Sequence, residues 1–266
     1  MLLAVLDVPL WAKPSGVDWK VKVRLVRHAS FFILAKGVEP GIVAWFRVIA
    51  KEVGLRSFWD VGANVGYYSW LVKSISPLTE VRMFEPDPDN LSLVRETIEH
   101  RRLTGVTLRE VAVSDMVGPR CFALDTVSGL TGGILEDSIG YSEREWRVPI
   151  RPLTVNAVSL DNERNETGPI DLIKIDVEGH EEAVIRGGRE TIRSDQPVLI
   201  FECFHGGAEI RRTLEPLGYA LLDAERTSDV LNEAINFVAF PSRHKPLLEE
   251  LRCRWKDEMA GAQVTD

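Results

Sequence analysis

Cysteine is scarce in this chain. Its 266 residues include three, Cys121, Cys203 and Cys253, far apart and in no CxxC pair. That spacing excludes a disulfide framework and a zinc knuckle as organising devices, and it makes the reducing cytoplasm the expected compartment. Long hydrophobic runs are also missing. No stretch approaches 18 uninterrupted apolar residues, so no membrane span is predicted. The apolar start Leu2–Leu10 is broken by Asp7 and Pro9 and follows no Lys or Arg, unlike a secretory signal. Positive charge is in deficit: 32 Lys and Arg against 40 Asp and Glu give a net −8, which argues against nucleic acid or an anionic membrane as partner. What is present, 45% apolar and 27% charged residues, is the composition of a globular protein with a substantial core.

Hydrophobic periodicity divides the chain into a leader, an alternating α/β core with a polar insert, and a helical tail. In the leader, Val21–Leu25 alternates like a strand, and Pro40–Val53 reads as a helix stopped by Gly54. From Ser57 onward, short apolar runs alternate with amphipathic segments, the pattern of βαβ units and a mostly parallel sheet. Strands are predicted at Ser57–Val61, Glu80–Phe84, Val106–Val111, Asp171–Ile175, Pro197–Glu202, Tyr219–Leu222 and Asn236–Phe240. Helices are predicted at Tyr67–Ser74, Pro88–Leu103, Glu181–Ser194, Ala208–Leu217 and Pro246–Glu258. Between Asp115 and Gly168 the alternation stops. That segment, with strands expected at Arg120–Leu124 and Trp146–Val155, reads as a hairpin joined by a long loop of the kind that often covers an active site.

The first core strand runs through Asp60-Val61-Gly62-Ala63-Asn64-Val65-Gly66 into a helix. Gly62 and Gly66 let a ligand approach the backbone at the carboxyl end of a strand, where open α/β sheets bind their ligands. The spacing is GxxxG rather than the GxGxxG that cradles a pyrophosphate, and Asp60 would repel such a phosphate, so a cationic ligand suits the turn better. The next strand ends in Glu85-Pro86. Glu85 stands roughly 20 residues past the turn, where a carboxylate accepts hydrogen bonds from both ribose hydroxyls of a bound nucleoside.

Four blocks in order, Asp60–Ser69, Phe84-Glu85-Pro86, Val111–Asp115 and Ile170–Glu181, resemble the FkbM family of S-adenosylmethionine-dependent methyltransferases. The resemblance covers the core from about residue 57 to 207 and leaves out the leader and the tail. It implies an α/β class I methyltransferase fold, Rossmann-like, with a seven-stranded sheet whose last strand is antiparallel and helices on both faces. Residues 1–56 would form a cap, residues 57–266 the catalytic domain, and 116–168 an inserted hairpin and lid. S-adenosylmethionine is the implied cofactor, with Asp60, Gly62 and Asn64 near its methionine portion, Gly66 closing the same cofactor-binding turn, Glu85 on its ribose, and Ala112, Ser114 and Asp115 near its adenine. The implied reaction is methylation of a hydroxyl on a small molecule, sugar or glycan.

Two later strands deliver Asp176, Glu178 and His180-Glu181, then Glu202 and His205, to the same sheet edge. Methyl transfer to an alcohol needs alignment of the oxygen and disposal of its proton. The favoured base is Asp176 or His205, the latter oriented by Glu202; the less favoured arrangement has Asp176, Glu178 and Glu202 hold a divalent ion that acidifies the hydroxyl. Glu182, in a helix's first turn, needs only the macrodipole to explain it. Tyr141, Trp146, Phe122 and Phe204 suit an apolar or sugar acceptor but read first as ordinary core. Alternatives of other classes are an NAD(P)-dependent reductase or epimerase, opposed by the GxxxG turn and the lack of a Tyr-x-x-x-Lys pair, and a non-catalytic nucleoside-binding protein.

Overall fold

The computed structural model describes residues 7–30, 39–125, 132–134, 150–165, 167–204, 207–229, 231 and 234–262. A short hairpin, β1 (Pro9–Ala12) and β2 (Val21–Arg24), leads to α1 (Pro40–Val48), which continues as a wider turn over Ile49–Gly54. The core then runs β3 (Ser57–Val61), α2 (Tyr67–Ile75), β4 (Glu80–Phe84), α3 (Pro88–Arg101) and β5 (Val106–Arg109). After the insert come α4 (Leu160–Arg164), β10 (Leu172–Ile175), α5 (Glu181–Gly187), α6 (Arg189–Asp195) and β11 (Val198–Glu202). The chain closes with α7 (Ala208–Leu214), β12 (Ala220–Asp223), β13 (Asn236–Phe240) and α8 (Leu248–Ala262). The insert carries β6 (Ala112–Val113), β7 (Gly118–Asp125), β8 (Gly133–Ile134) and β9 (Ile150–Val158).

Seven strands form the main sheet in the order β12-β13-β11-β10-β3-β4-β5. All are parallel except β13, which is antiparallel to both β11 and β12. The order reverses between β3 and β10, so the crevice where an α/β sheet takes its ligand opens at their carboxyl ends. This is the seven-stranded, mostly parallel sheet with an antiparallel last strand that the resemblance implies.

Residue alternation along the strands explains both layers. Phe58, Leu172, Val198, Ile200, Val238 and Phe240 pack with Trp45, Phe46, Trp70 and Trp255 of α1, α2 and α8. Their neighbours Trp59, Ile173, Ile175, Leu199, Phe201 and Phe237 pack on the opposite face with Val184, Ile192 and Leu214 of α5, α6 and α7. The leader belongs to the first of these clusters through Val21, Val23, Ile42, Trp45 and Phe46. The Trp45 indole donates to the Ala224 carbonyl and the Trp255 indole to that of Gly41, which ties α1 to the turn after β12 and to α8.

Several predicted elements shift. The strand expected to reach Val111 leaves the main sheet after Arg109, because Ala112 and Val113 pair instead with Ala157 and Val158 of the insert. The helix expected over Glu181–Ser194 is two, split at Gly188. A β-carbon at Gly187 would stand 2.4 Å from the Ser114 carbonyl, and one at Gly188 would stand 2.6 Å from Leu160, so close packing rather than helix propensity sets the break. Pro246 lies in a 3₁₀ turn, Ser242–Leu247, ahead of α8. Strand β1 is absent from the sequence reading, since four residues beginning with proline carry little pattern.

One contact fixes how the central strands end. Val61 pairs with Ile175, the amide of Asp176 donates to the Val61 carbonyl (2.9 Å), and the chain then folds so that a β-carbon at Gly62 would lie 1.8 Å from the Asp176 carbonyl oxygen. Gly62 also has φ +79°, open to glycine at no steric cost. Gly62→Ala is therefore expected to destabilise by about 2–5 kcal/mol through overpacking and backbone strain. Gly168→Ala, where nothing stands within 4 Å, should change stability little. Denaturant unfolding of both variants checks this, and equal midpoints would contradict it.

Candidate active site

A cavity of about 220 Å³ opens over the ends of β3, β4, β10 and β11. One wall is the glycine turn, where Gly62, Asn64 and Gly66 all have left-handed backbones. The amides of Gly62 and Ala63 donate to the Phe84 carbonyl, each at 3.0 Å. Glu85 is buried beside them. Its Oε2 accepts from the Asn64 amide (2.7 Å) and its Oε1 from the Asp87 amide (2.8 Å), and the Asn90 side chain adds a third hydrogen bond, which leaves part of the carboxyl's acceptor capacity open. Burial pushes its carboxyl up to about 8.

Of the eight residues expected around the donor, Gly62, Asn64, Glu85 and Ala112 line this cavity, and Asp60, Gly66, Ser114 and Asp115 do not. Asp60 shares its strand face with Phe58, toward α2. There its Oδ2 accepts from the amide (3.1 Å) and hydroxyl (2.6 Å) of Ser69. It is a buried clasp between β3 and α2, with its carboxyl raised to about 6 by burial. Gly66 precedes α2 at its N-cap, and a β-carbon there would strike Trp70 at 2.6 Å. Ser114 reaches the cavity only through a partner: its hydroxyl lies 2.9 Å from Nε2 of His180, a lining residue. Asp115 accepts from Arg186 of α5 at 2.7 Å.

The opposite end is acidic. Asp176, Glu178 and Glu202 all line the cavity and present one oxygen each within 4.8 Å of one another, an all-oxygen set suited to a divalent cation. Lys174, fully buried in β10, donates to Asp176 Oδ2 at 3.0 Å, and its ammonium lies 5.1 Å from the Tyr68 ring centre. Burial, then the charge of Asp176, pushes the Glu202 carboxyl up to about 9; burial and both neighbours raise Glu178. Glu181 is a loop-former: its Oε1 accepts from the amides of Val177 (3.2 Å) and Gly179 (3.1 Å). Glu182 is exposed, as a first-turn acid should be.

His205, Tyr141 and Trp146 lie outside the described residues. Phe122 lines the cavity from β7, whereas Phe204 is not among its lining residues. Three contributors escaped the sequence reading: Glu39, Tyr68 and Lys174; His180, which that reading delivered to the sheet edge, lines the cavity. Lys174 carried a signal, a lysine inside the otherwise apolar run Leu172-Ile173-Lys174-Ile175. Glu39 carried none. It stands at the start of α1, far from every motif, and joins the site through Tyr68, whose hydroxyl donates to its Oε2, and through Asn236, whose Nδ2 donates to its Oε1 (3.1 Å).

These buried acids set a pH dependence. A carboxyl whose pKa rises on folding binds its proton more tightly in the native state, so stability falls as pH climbs between the unfolded and folded values. For Glu85 and Glu202 that window runs from 4.5 to about 8 and about 9, and for Glu181 from 4.5 to about 7. His28, buried and held down at about 4, acts in the opposite sense but only below its unfolded value of 6.5. Thermal unfolding of the free protein should therefore show declining stability from pH 6.5 toward 8, with a shallower slope in Glu85→Gln; stability rising over that range would contradict the assignment.

Comparison with known proteins places this geometry. The family described as the methyltransferase FkbM domain matches residues 60–221. The chain is 28% identical over 232 residues to the hexuronic acid methyltransferase AglP of Haloferax volcanii, covering 86% of this chain and 87% of that protein. It is 34% identical over 141 residues to the 2-O-methyltransferase NoeI of Sinorhizobium fredii, a match that covers 50% of this chain and 57% of NoeI. Among solved structures it is similar to a methyltransferase FkbM from Methylobacillus flagellatus, with 14% identity, a TM-score of 0.48, and 73% of this chain and 47% of that chain covered. Among the described residues, no helix is long and apolar enough to cross a membrane. With the family match spanning more than half of its length, the chain belongs to the FkbM methyltransferase family.

Proposed function

We propose that this protein transfers a methyl group from S-adenosylmethionine to a hydroxyl oxygen of a small molecule or sugar. The observation that carries the reading is the single cavity with two unlike ends: a glycine turn beside Glu85, and a cluster of carboxylates around Asp176. The residues fit the donor. Gly62 and Asn64 offer close backbone approach, Glu85 keeps acceptor capacity for a ribose hydroxyl, and Ala112 lines the wall where an adenine would lie. When bound, the donor supplies an electrophilic methyl on a sulfonium. The methyltransferases named for O-methylation and hexuronic acid among the relatives support a hydroxyl-bearing sugar as acceptor.

The protein's own part is alignment and proton handling. Asp176 is the base in this reading: it takes the hydroxyl proton as the oxygen–methyl bond forms and the sulfur–methyl bond breaks, leaving a methyl ether, a thioether and a protonated carboxyl. Lys174 holds Asp176 Oδ2 in place. Glu202, with its raised pKa, keeps a proton in the cluster, so that the acids around Asp176 are not all charged at once. A second arrangement rests on the same convergence, with Asp176, Glu178 and Glu202 holding a divalent cation against the acceptor oxygen; the lysine already bonded to Asp176 makes direct base catalysis the preferred form. The cysteines Cys121, Cys203 and Cys253 are free, which supports a reducing, cytoplasmic setting.

Calorimetric titration with S-adenosylhomocysteine should give a Kd about 5–150-fold weaker for Glu85→Ala, the cost of one or two hydrogen bonds. Asp176→Asn should bind that compound normally while turnover falls by about 100-fold or more. Unchanged turnover would remove Asp176 from the mechanism. Activity that survives exhaustive chelation supports the direct base; loss restored by magnesium would establish the cation arrangement instead.

A further inference from the structure

Glu39 lies outside the stretch that defines the family, yet its side chain lines the cavity. Its backbone is left-handed, φ 49° and ψ 64°, an uncommon state for a residue with a long side chain. Although it occupies the N-cap of α1, its carboxylate makes no hydrogen bond to that helix. The side chain turns away from its own helix and is gripped from two other elements, by the Tyr68 hydroxyl of α2 and by Asn236 Nδ2 of β13. Strain of this kind persists where surrounding structure over-determines it, often at a ligand site.

Its neighbours place it at the methyl-accepting end. Asn236 pairs across the sheet with Glu202, and Tyr68 lies under the Lys174 ammonium that holds Asp176. An ionised carboxylate has about four acceptor positions, of which Tyr68 and Asn236 take one on each oxygen. Capacity remains for a ligand donor. Acid side chains predominate around it: the described lining residues include six, Glu39, Glu85, Asp87, Asp176, Glu178 and Glu202, and no lysine or arginine, while the Lys174 ammonium behind the wall is taken by Asp176.

Resting on the methyl-transfer reading, we propose that Glu39 is an acceptor-specificity residue: it receives a hydroxyl of an uncharged sugar and disfavours an acceptor bearing a carboxylate. A hydroxyl gains a charge-assisted hydrogen bond there, whereas a carboxylate meets the like charge of Glu39 itself in a half-buried pocket.

The test uses the full chain, labelled S-adenosylmethionine, and two probes that differ in one group, methyl α-D-glucopyranoside and methyl α-D-glucopyranosiduronic acid. Wild type should favour the neutral glycoside in kcat/KM by about tenfold or more. Glu39→Gln removes the charge but keeps an acceptor. It should raise KM for the neutral glycoside by about 10-fold, narrow the preference between the probes, and leave kcat and the Kd for S-adenosylhomocysteine within about twofold. Glu39→Ala should do the same more strongly. Unchanged KM and preference in both variants would overturn the proposal, as would a wild-type preference for the uronoside. Transfer to neither glycoside with S-adenosylhomocysteine still bound overturns the proposed acceptor class alone. Failure of wild type to bind S-adenosylhomocysteine overturns the methyl-transfer reading beneath it.

Discussion

The site depends on a place where two backbones touch. Gly62 ends β3 and Asp176 follows β10, and no side chain fits between them. Because the strands are locked in register one residue earlier, Val61 against Ile175, the approach leaves little freedom in where the glycine turn sits relative to the Asp176 loop. The wall of the glycine turn and the acidic wall are therefore positioned by main chain, with side-chain packing as a second support. Main-chain placement suits chemistry in which a displacement fails if the reacting atoms are badly aligned.

Around that contact the protein gathers an excess of acid and one buried base. An ammonium with no solvent access is costly unless paired, and Lys174 has Asp176 at hydrogen-bond distance and an aromatic face nearby. The carboxylates outnumber it, and the surplus is accommodated by raised pKa values at Glu202 and Glu178 rather than by further cations. Similar restraint appears beneath the other wall, where Asp60 is satisfied by Ser69 and Glu163 by both Arg82 and Arg109 at 2.6 Å. Buried charge is matched within the insert-to-core junction but left partly unmatched inside the cavity, where a ligand can complete it.

Much of this was legible beforehand. The strands Ser57–Val61, Glu80–Phe84 and Asn236–Phe240 stand where periodicity put them, because fully buried strands are continuous apolar runs with polar ends. Glu85 was legible because its spacing from the glycine turn is fixed by one strand–helix–strand unit. Asp60 does not line the cavity: sharing a face with Phe58 aims it at Ser69, which alternation along the strand shows only once the partner helix is known. Lys174 and Glu39 show the other limit. Their roles come from pairings between residues far apart in the chain, such as Glu39 with Asn236, which no local pattern records.

The insert has a further consequence. Its first strand, β6, and its last, β9, lie side by side in parallel register, Ala112 against Ala157 and Val113 against Val158, so the excursion leaves the core and rejoins it at nearly one point. The small sheet between them supplies Phe122 and Ile134 to the cavity wall. A segment whose two ends are already neighbours can be lengthened, shortened or exchanged at little entropic cost to the rest of the fold. Evolution can thus rewrite one wall of the pocket as a cassette while the strands that carry the glycine turn and Glu85 stay untouched.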